Sequence, residues 1–351
     1  MMPLPDFHGL SVWTNVAILA GAAVLVWLAG TQLAYYADAI SERTKLSKAF
    51  LGLILLGVAT SLPEIVTTIT GAMLDNAALV AGNLFGGVSL QIAVLAIVDM
   101  VAMRRALTFF APEPVLLFQG VMLLMLLAIA LAGAAAGDPI EILGVGLTPV
   151  LLGAGYVATV RWSRPGGLPR WRPTNLPEKN AAAEQRKQPS THGDLSNLRL
   201  FACSALSALV ILGAGWALAQ TGDALAAQTN LGSSFVGVAL VAGSTSLPEL
   251  STALAAVRQG NHQMAVSNIL GTNCLEVALF LLADVAYRGG PLLGQLEDSA
   301  VFAGAVGMIV TCLYLLGLLE RRDRTFLRMG YDSVAVLVTY GIGLVGLYFL
   351  R

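Results

Sequence analysis

The stretch ATSLPE occupies residues 59–64 in the middle of an apolar run, and STSLPE occupies residues 244–249 in the middle of another. A proline inside a helix has no N–H to donate and clashes with the carbonyl four residues earlier. Pro63 is therefore expected to free the carbonyl of Ala59, and Pro248 that of Ser244. The residues just before each proline are also pushed away from helical geometry. Irregular backbone at membrane depth is tolerated only where it faces protein or a water-filled cavity. Each hexapeptide thus predicts a broken helix that gathers carbonyl oxygens, threonine and serine hydroxyls and one carboxylate.

The surroundings of both copies are those of a membrane chain. Of 351 residues, 56% are hydrophobic and 12% charged, about half the charged share of a soluble protein. Apolar runs long enough to cross a bilayer recur along most of the length. Ten candidate spans lie near 14–38, 48–74, 77–102, 114–136, 139–160, 198–220, 232–257, 263–287, 299–319 and 331–350. A polar stretch from Arg161 to about Asn197, rich in Pro, Arg and Gly, reads as a flexible linker. The chain accordingly divides into a first five-helix half over 1–160, a linker over 161–197 and a second five-helix half over 198–351. No basic stretch precedes the first apolar run, which reads as a retained helix.

Ten spans sort the lysines and arginines 18 to 2 between the two sides. The positive-inside rule then puts the linker in the cytoplasm and both termini on the other face of a cell (inner or plasma) membrane. An odd number of spans in each half makes the halves enter from opposite sides, the requirement for an inverted repeat. The fold class expected is an all-α integral membrane protein with ten transmembrane helices as two inverted five-helix repeats.

The repeat is visible in the residues. A shift of 185 aligns Thr60, Ser61, Leu62, Pro63 and Glu64 with Thr245, Ser246, Leu247, Pro248 and Glu249. Phe50 meets Phe235, Asn76 meets Asn261, Asn83 meets Asn268, Gly86 meets Gly271 and Asp99 meets Asp284. Polar and helix-breaking positions match in one register over about fifty residues, which chance similarity does not do.

Thr60, Ser61, Glu64, Thr245, Ser246 and Glu249 are hard oxygen ligands, suited to sodium, calcium or similar cations. The helices that follow, GNLFGGVSLQ (82–91) and SNILGTNCLE (267–276), contain glycines that permit close approach. They end at matched positions in Gln91 and Glu276, and inverted symmetry brings these beside Glu64 and Glu249 near the midplane. A single intramembrane hydroxyl usually bonds a preceding carbonyl. A glutamate at the centre of a span costs about 2.5 kcal/mol or more, so a matched pair points to function. Asp99 and Asp284 sit near span ends, where solvation is cheap, and read as structural; Asp38, Asp138, Glu141 and Asp223 read the same way.

Other classes find little support. Cys203, Cys274 and Cys312 lie inside apolar segments and suggest no disulfide framework. His8, His192 and His262 are scattered without zinc-ligand spacing. No basic face or nucleic-acid motif appears, and no nucleophile–base constellation marks an enzyme. A cation channel would need a continuous pathway, and no filter or pore loop stands out. A membrane sensor would have little to signal with, since the linker is short.

GVATSLPEIVTTITGA and AGSTSLPELSTALAA, each followed by a glycine-containing helix, resemble the two alpha repeats of the calcium/cation antiporter superfamily, and within it the sodium/calcium exchanger branch. The likeness covers both repeats and the five-plus-five layout, and LAGTQLAYYADAISERTKLSKAFLGL resembles that family's opening segment. It implies alternating access with a diamond of ion sites at the repeat interface. Thr60, Ser61 and Glu64 match the first-repeat ligands, Thr245, Ser246 and Glu249 those of the second, and the carbonyls near Gly57 and Ala242 match the backbone contributors. The helices that follow depart from the family's Gly-Ser-Asn pattern. Gly87 removes a hydroxyl that Thr272 keeps, Val88 replaces an asparagine that Asn273 keeps, and Gln91 and Glu276 each add a methylene.

Two or three carboxylates balance one divalent or several monovalent cations but not both loads, so binding is mutually exclusive. Exchange of Na+ for Ca2+ is the mechanism expected, with no cofactor. Protons are the alternative counter-ion, in which Glu276 cycles between charged and protonated forms. The expected partners are inorganic cations and the lipid bilayer, without nucleic acid; a monomer is one candidate working unit, and the sequence leaves the oligomeric state open.

Overall fold

The computed structural model describes residues 7–164, 195–228 and 246–350, apart from the single positions 74, 104, 112, 143 and 327. Helix α1 (Val12–Thr44) opens on Ser11, whose hydroxyl accepts the Thr14 N–H, and closes at Lys45 in the left-handed region. Next come α2 (Lys48–Leu51), a π-helical turn (Gly52–Leu56), α3 (Gly57–Thr60) and α4 (Leu62–Met73). The Asn76 side chain caps α5 (Ala77–Ala102), which leads through α6 (Leu107–Phe110) to α7 (Pro114–Ala136). The first half ends in a hairpin, β1 (Glu141–Ile142) with β2 (Val145–Gly146), and α8 (Leu147–Trp162).

The second half runs α9 (Asn197–Gln228), α10 (Leu247–Arg258), α11 (His262–Ala286), a 3₁₀ turn (Leu292–Gln295) and α12 (Asp298–Glu320). A second hairpin, β3 (Thr325–Phe326) with β4 (Met329–Gly330), precedes α13 (Tyr331–Phe349). Among the described residues, seven helices are long and apolar enough to cross a membrane, and the bent run Lys48–Met73 makes up to eight. The protein is therefore a helical, multi-pass integral membrane protein. The all-α expectation is refined by the two hairpins. The first of them takes the opening residues of the run at 139–160 out of helix, where Gly144 turns at φ +80°. Most of the 161–197 linker, and the seventh predicted span up to Thr245, lie outside the described residues.

The core is built around α5 and α11. Their most apolar windows are 67% and 72% buried, against 28% for α1 and α9, which pack along each other at the periphery. Close crossing depends on glycine. A Cβ on Gly52 would lie 2.6 Å from the Met264 carbonyl oxygen, and one on Gly271 would lie 2.7 Å from the Leu53 Cα. The π turn of the first half is thereby pressed directly onto α11.

Asp99 and Asp284 anchor the ends of these two central helices. Asp99 accepts the Leu107 N–H (2.9 Å), the Gly330 N–H (2.8 Å) and the Ser333 hydroxyl (2.7 Å). Asp284 accepts the Leu292 N–H (2.6 Å) and the Gly146 N–H (2.7 Å). Each ties its helix to the chain eight residues on and to the last residue of a hairpin. Their structural reading stands, but its reason changes: both are buried, and backbone amides rather than water solvate the carboxylates. Asp138 is likewise buried and accepts the Thr148 N–H and hydroxyl, whereas Asp38 pairs with Lys48 at 2.9 Å.

Candidate functional site

Ser61 and Ser246 hold the same position in the two hexapeptides, and each immediately precedes the first turn of a helix. Ser61 stands between α3 and α4 at φ −78° and ψ 0°. Ser246 stands before α10 at φ −87° and ψ 4°. These angles lie in the sparsely populated bridge region, and the proline two residues on suits the first turn of a new helix. The run Lys48–Met73 bends by 50° there. Glu64 and Glu249 consequently occupy the first turns of α4 and α10, where the helix dipole favours negative charge.

In the first copy the hydroxyls gather on one carbonyl. The Gly57 oxygen accepts from the Ser61 hydroxyl (2.8 Å), the Thr60 hydroxyl (3.4 Å) and, across the interface, the Thr272 hydroxyl (3.5 Å). A donating hydroxyl keeps its lone pairs, so these three side chains can still offer oxygen to a cation. Thr245 and Ala242 lie outside the described residues.

Thr60, Ser61, Glu64, Gln91, Ser246, Glu249, Thr272, Asn273 and Glu276 are all buried. Glu64 feels the charges of both Glu249 and Glu276, and Glu276 that of Glu249, so the three carboxylates share one neighbourhood. Thr60 lies beside Glu249 from the other half. Gln91 Nε2 donates to Glu276 Oε1, and Asn273 Nδ2 donates to the Val88 carbonyl at 3.3 Å. Partners in both bonds are 185 residues apart. At this level of α5 and α11, positions matched by the 185-residue shift touch one another.

The oxygens here are conspicuously unpaired. Glu64 Oε2, both oxygens of Glu249, Glu276 Oε2, Gln91 Oε1 and Asn273 Oδ1 are buried without a hydrogen-bond partner among the described residues. More than nine in ten buried polar groups in native proteins are satisfied. No lysine, arginine or histidine appears among the buried polar side chains described. Among the described residues no three His, Cys, Asp or Glu side chains form a compact metal cluster. A cation here would therefore draw on hydroxyl, amide and carbonyl oxygens as well as carboxylates, which suits hard ions.

Asn273 and the π turn were not prominent in the sequence. Asn273 has Val88 as its repeat mate, so matching of polar positions passes over it. The π turn has no signature beyond its glycines.

The two hexapeptides thus contribute to one buried, acidic, oxygen-lined site in a membrane protein. The sodium/calcium exchanger protein family model matches residues 14–162 and 199–350, and the chain belongs to that family. The matched segments lie on either side of residues 163–198. The chain is 23% identical over 318 residues to the putative antiporter CaxA of Alkalimonas amylolytica, covering 88% of this chain and 92% of the relative. It is 24% identical over 272 residues to the inner membrane protein YrbG of Escherichia coli K12, covering 76% and 77%. Among solved structures, the sodium-calcium exchanger NCX_Mj soaked with Na+ and Sr2+ superposes with a TM-score of 0.70 at 18% identity, over 95% of this chain and 99% of that one. That likeness establishes the shared fold.

Proposed function

We propose that the protein is a secondary active antiporter that exchanges Na+ for Ca2+ by alternating access. The five-helix halves 1–160 and 198–351 form inverted repeats of ten spans in all. Linker 161–197 is cytoplasmic and both termini are non-cytoplasmic. The ligand set is Thr60, Ser61, Glu64, Gln91, Thr245, Ser246, Glu249, Thr272 and Glu276, with the carbonyls of Gly57 and Ala242. One observation carries this reading: three neighbouring carboxylates lie buried with unpaired oxygens and no basic side chain among the buried residues described. Isolated buried charge is strongly unfavourable unless paired or coordinated to a metal, and mobile cations are the compensation on offer. Family membership and the antiporter name of CaxA point the same way.

Coupling follows from charge. A site with its cations is near neutrality and can be carried through an occluded state, whereas an empty one is held back by its own carboxylates. Exchange rather than leak results.

Purified protein in sealed vesicles tests the proposal. Calcium uptake should be driven by an outward Na+ gradient and fall to the protein-free background with Glu64→Gln or Glu249→Gln. Uptake driven by a proton gradient alone would replace Na+ by H+ as counter-ion. Uptake surviving in both variants would remove the site, and uncoupled calcium flux would make the protein a channel.

A further inference from the structure

The two copies of the site are unequal at one place, and the inequality is filled from the other side. Gly87 of the first half has Thr272 as its repeat mate, and Gln91 has Glu276. The first half therefore lacks both a side chain at 87 and a charge at 91. A Cβ built on Gly87 would meet Glu276 Oε2 at 2.8 Å, Oε1 at 3.1 Å and Cδ at 3.2 Å. The Glu276 carboxylate occupies the volume in which a side chain at 87 would begin. Gln91 holds its Oε1, while Oε2 has no hydrogen-bond partner among the described residues. Gly57, also at this interface, shows the contrast: a Cβ there would lie 3.3 Å or more from its nearest neighbour, the Thr272 N.

We infer that Gly87 is a specificity-determining residue that acts through Glu276: its missing side chain lets the longer carboxylate cross the interface, so that Oε2 serves as the ligand oxygen of the first half in place of a hydroxyl. This assignment rests on the proposed cation binding at this site. Its chemistry follows from the replacement. A neutral hydroxyl oxygen is exchanged for a carboxylate oxygen, which strengthens the position for a small, doubly charged cation relative to Na+. Gly87 and Glu276 should then behave as one unit, and neither should tolerate change alone.

The test is a double-mutant cycle on the full chain with Gly87→Ser, Glu276→Asp and both together. Two readouts are needed: Ca2+ concentration dependence of uptake in sealed vesicles, and stabilisation of the detergent-purified protein against heat by Ca2+ or Na+, which requires no transport. Each single variant should shift the apparent Ca2+ affinity, relative to Na+, by about tenfold, and the double variant should return to within about threefold of the parent, a coupling typical of groups in contact. Gly87→Ala melted without ions, alone and beside Glu276→Ala, guards against simple misfolding: the alanine should lower the melting temperature only when Glu276 is present. Additive shifts in affinity, or an alanine penalty equal in both backgrounds, would overturn the inference. Ion stabilisation coupled through 87 and 276 in a protein that shows no exchange would overturn the antiport reading and leave this one standing. No stabilisation by either ion would overturn both.

Discussion

Two sets of buried carboxylates lie on the same pair of central helices or beside them, and they are treated in opposite ways. Asp99 and Asp284 have each carboxylate oxygen engaged by a backbone amide, with the Ser333 hydroxyl added at Asp99. Glu64, Glu249 and Glu276 leave four oxygens unpaired. All five are buried and all arise from repeat-matched positions, so neither depth nor the repeat separates them. What separates them is where the compensating positive charge comes from. Fixed amide dipoles make the aspartates anchors of the scaffold, whereas the proposed cation site leaves the glutamates to compensation that can arrive and depart.

The contrast can be broken most decisively at the glutamates. Glu249→Gln should reduce cation exchange to the vesicle background while leaving the ion-free protein as heat-stable as the parent or more so, because repulsion among like charges is relieved. A stability loss without loss of exchange would make Glu249 an anchor too. Asp99→Ala should do the reverse. Two buried amides and a hydroxyl would lose their acceptor, at about 1–3 kcal/mol for each unsatisfied group, seen as a lowered melting temperature. Exchange per folded molecule should remain measurable. Abolished exchange at unchanged stability would move Asp99 into the ion path.

Gly271→Ala sharpens the comparison by loosening the crossing that holds the glutamates together. Its Cβ would press on the Leu53 backbone at 2.7 Å, whereas one on Gly82 would meet nothing within 4 Å. Overpacking of this kind costs about 1–3 kcal/mol, so Gly271→Ala should melt lower and transport more slowly, and Gly82→Ala should do neither. The smallest effect belongs to Arg105→Ala. Arg105 is about half exposed and pairs with Asp323, joining the segment that leads into α6 to the one that leads into β3. Surface pairs contribute about 0–1 kcal/mol, and a melting curve within that range, with normal uptake, is the expected result.

The sequence made the central features legible because they rest on local rules. Proline two residues past Ser61 and Ser246 suits the first turn of a new helix, and closely similar backbone angles recur at both. Glutamates inside apolar runs are too costly to be incidental, and both are buried where the helices restart. The hairpin within the run at 139–160 was not legible, since Glu141–Gly146 is short and its apolar neighbours continue the hydropathy of a span. Nor was the role of Asp99 and Asp284. Position along a span suggests solvation by water, and only the returning chain at Leu107, Gly330, Leu292 and Gly146 supplies the amides instead.

By itself, then, the sequence determined a membrane chain with a repeated proline motif and oxygen-bearing side chains around it, since hydropathy, proline geometry and the cost of buried charge act along the chain. The tertiary structure decided which carboxylates are already satisfied and which are not. It also decided that Glu276 fills the volume left by Gly87. Several of those relations join residues far apart in the chain, such as Gln91 with Glu276, 185 positions apart, and Asp99 with Gly330, 231 positions apart. Only the packing of α5 against α11, α12 and α13 brings them within a hydrogen bond of one another.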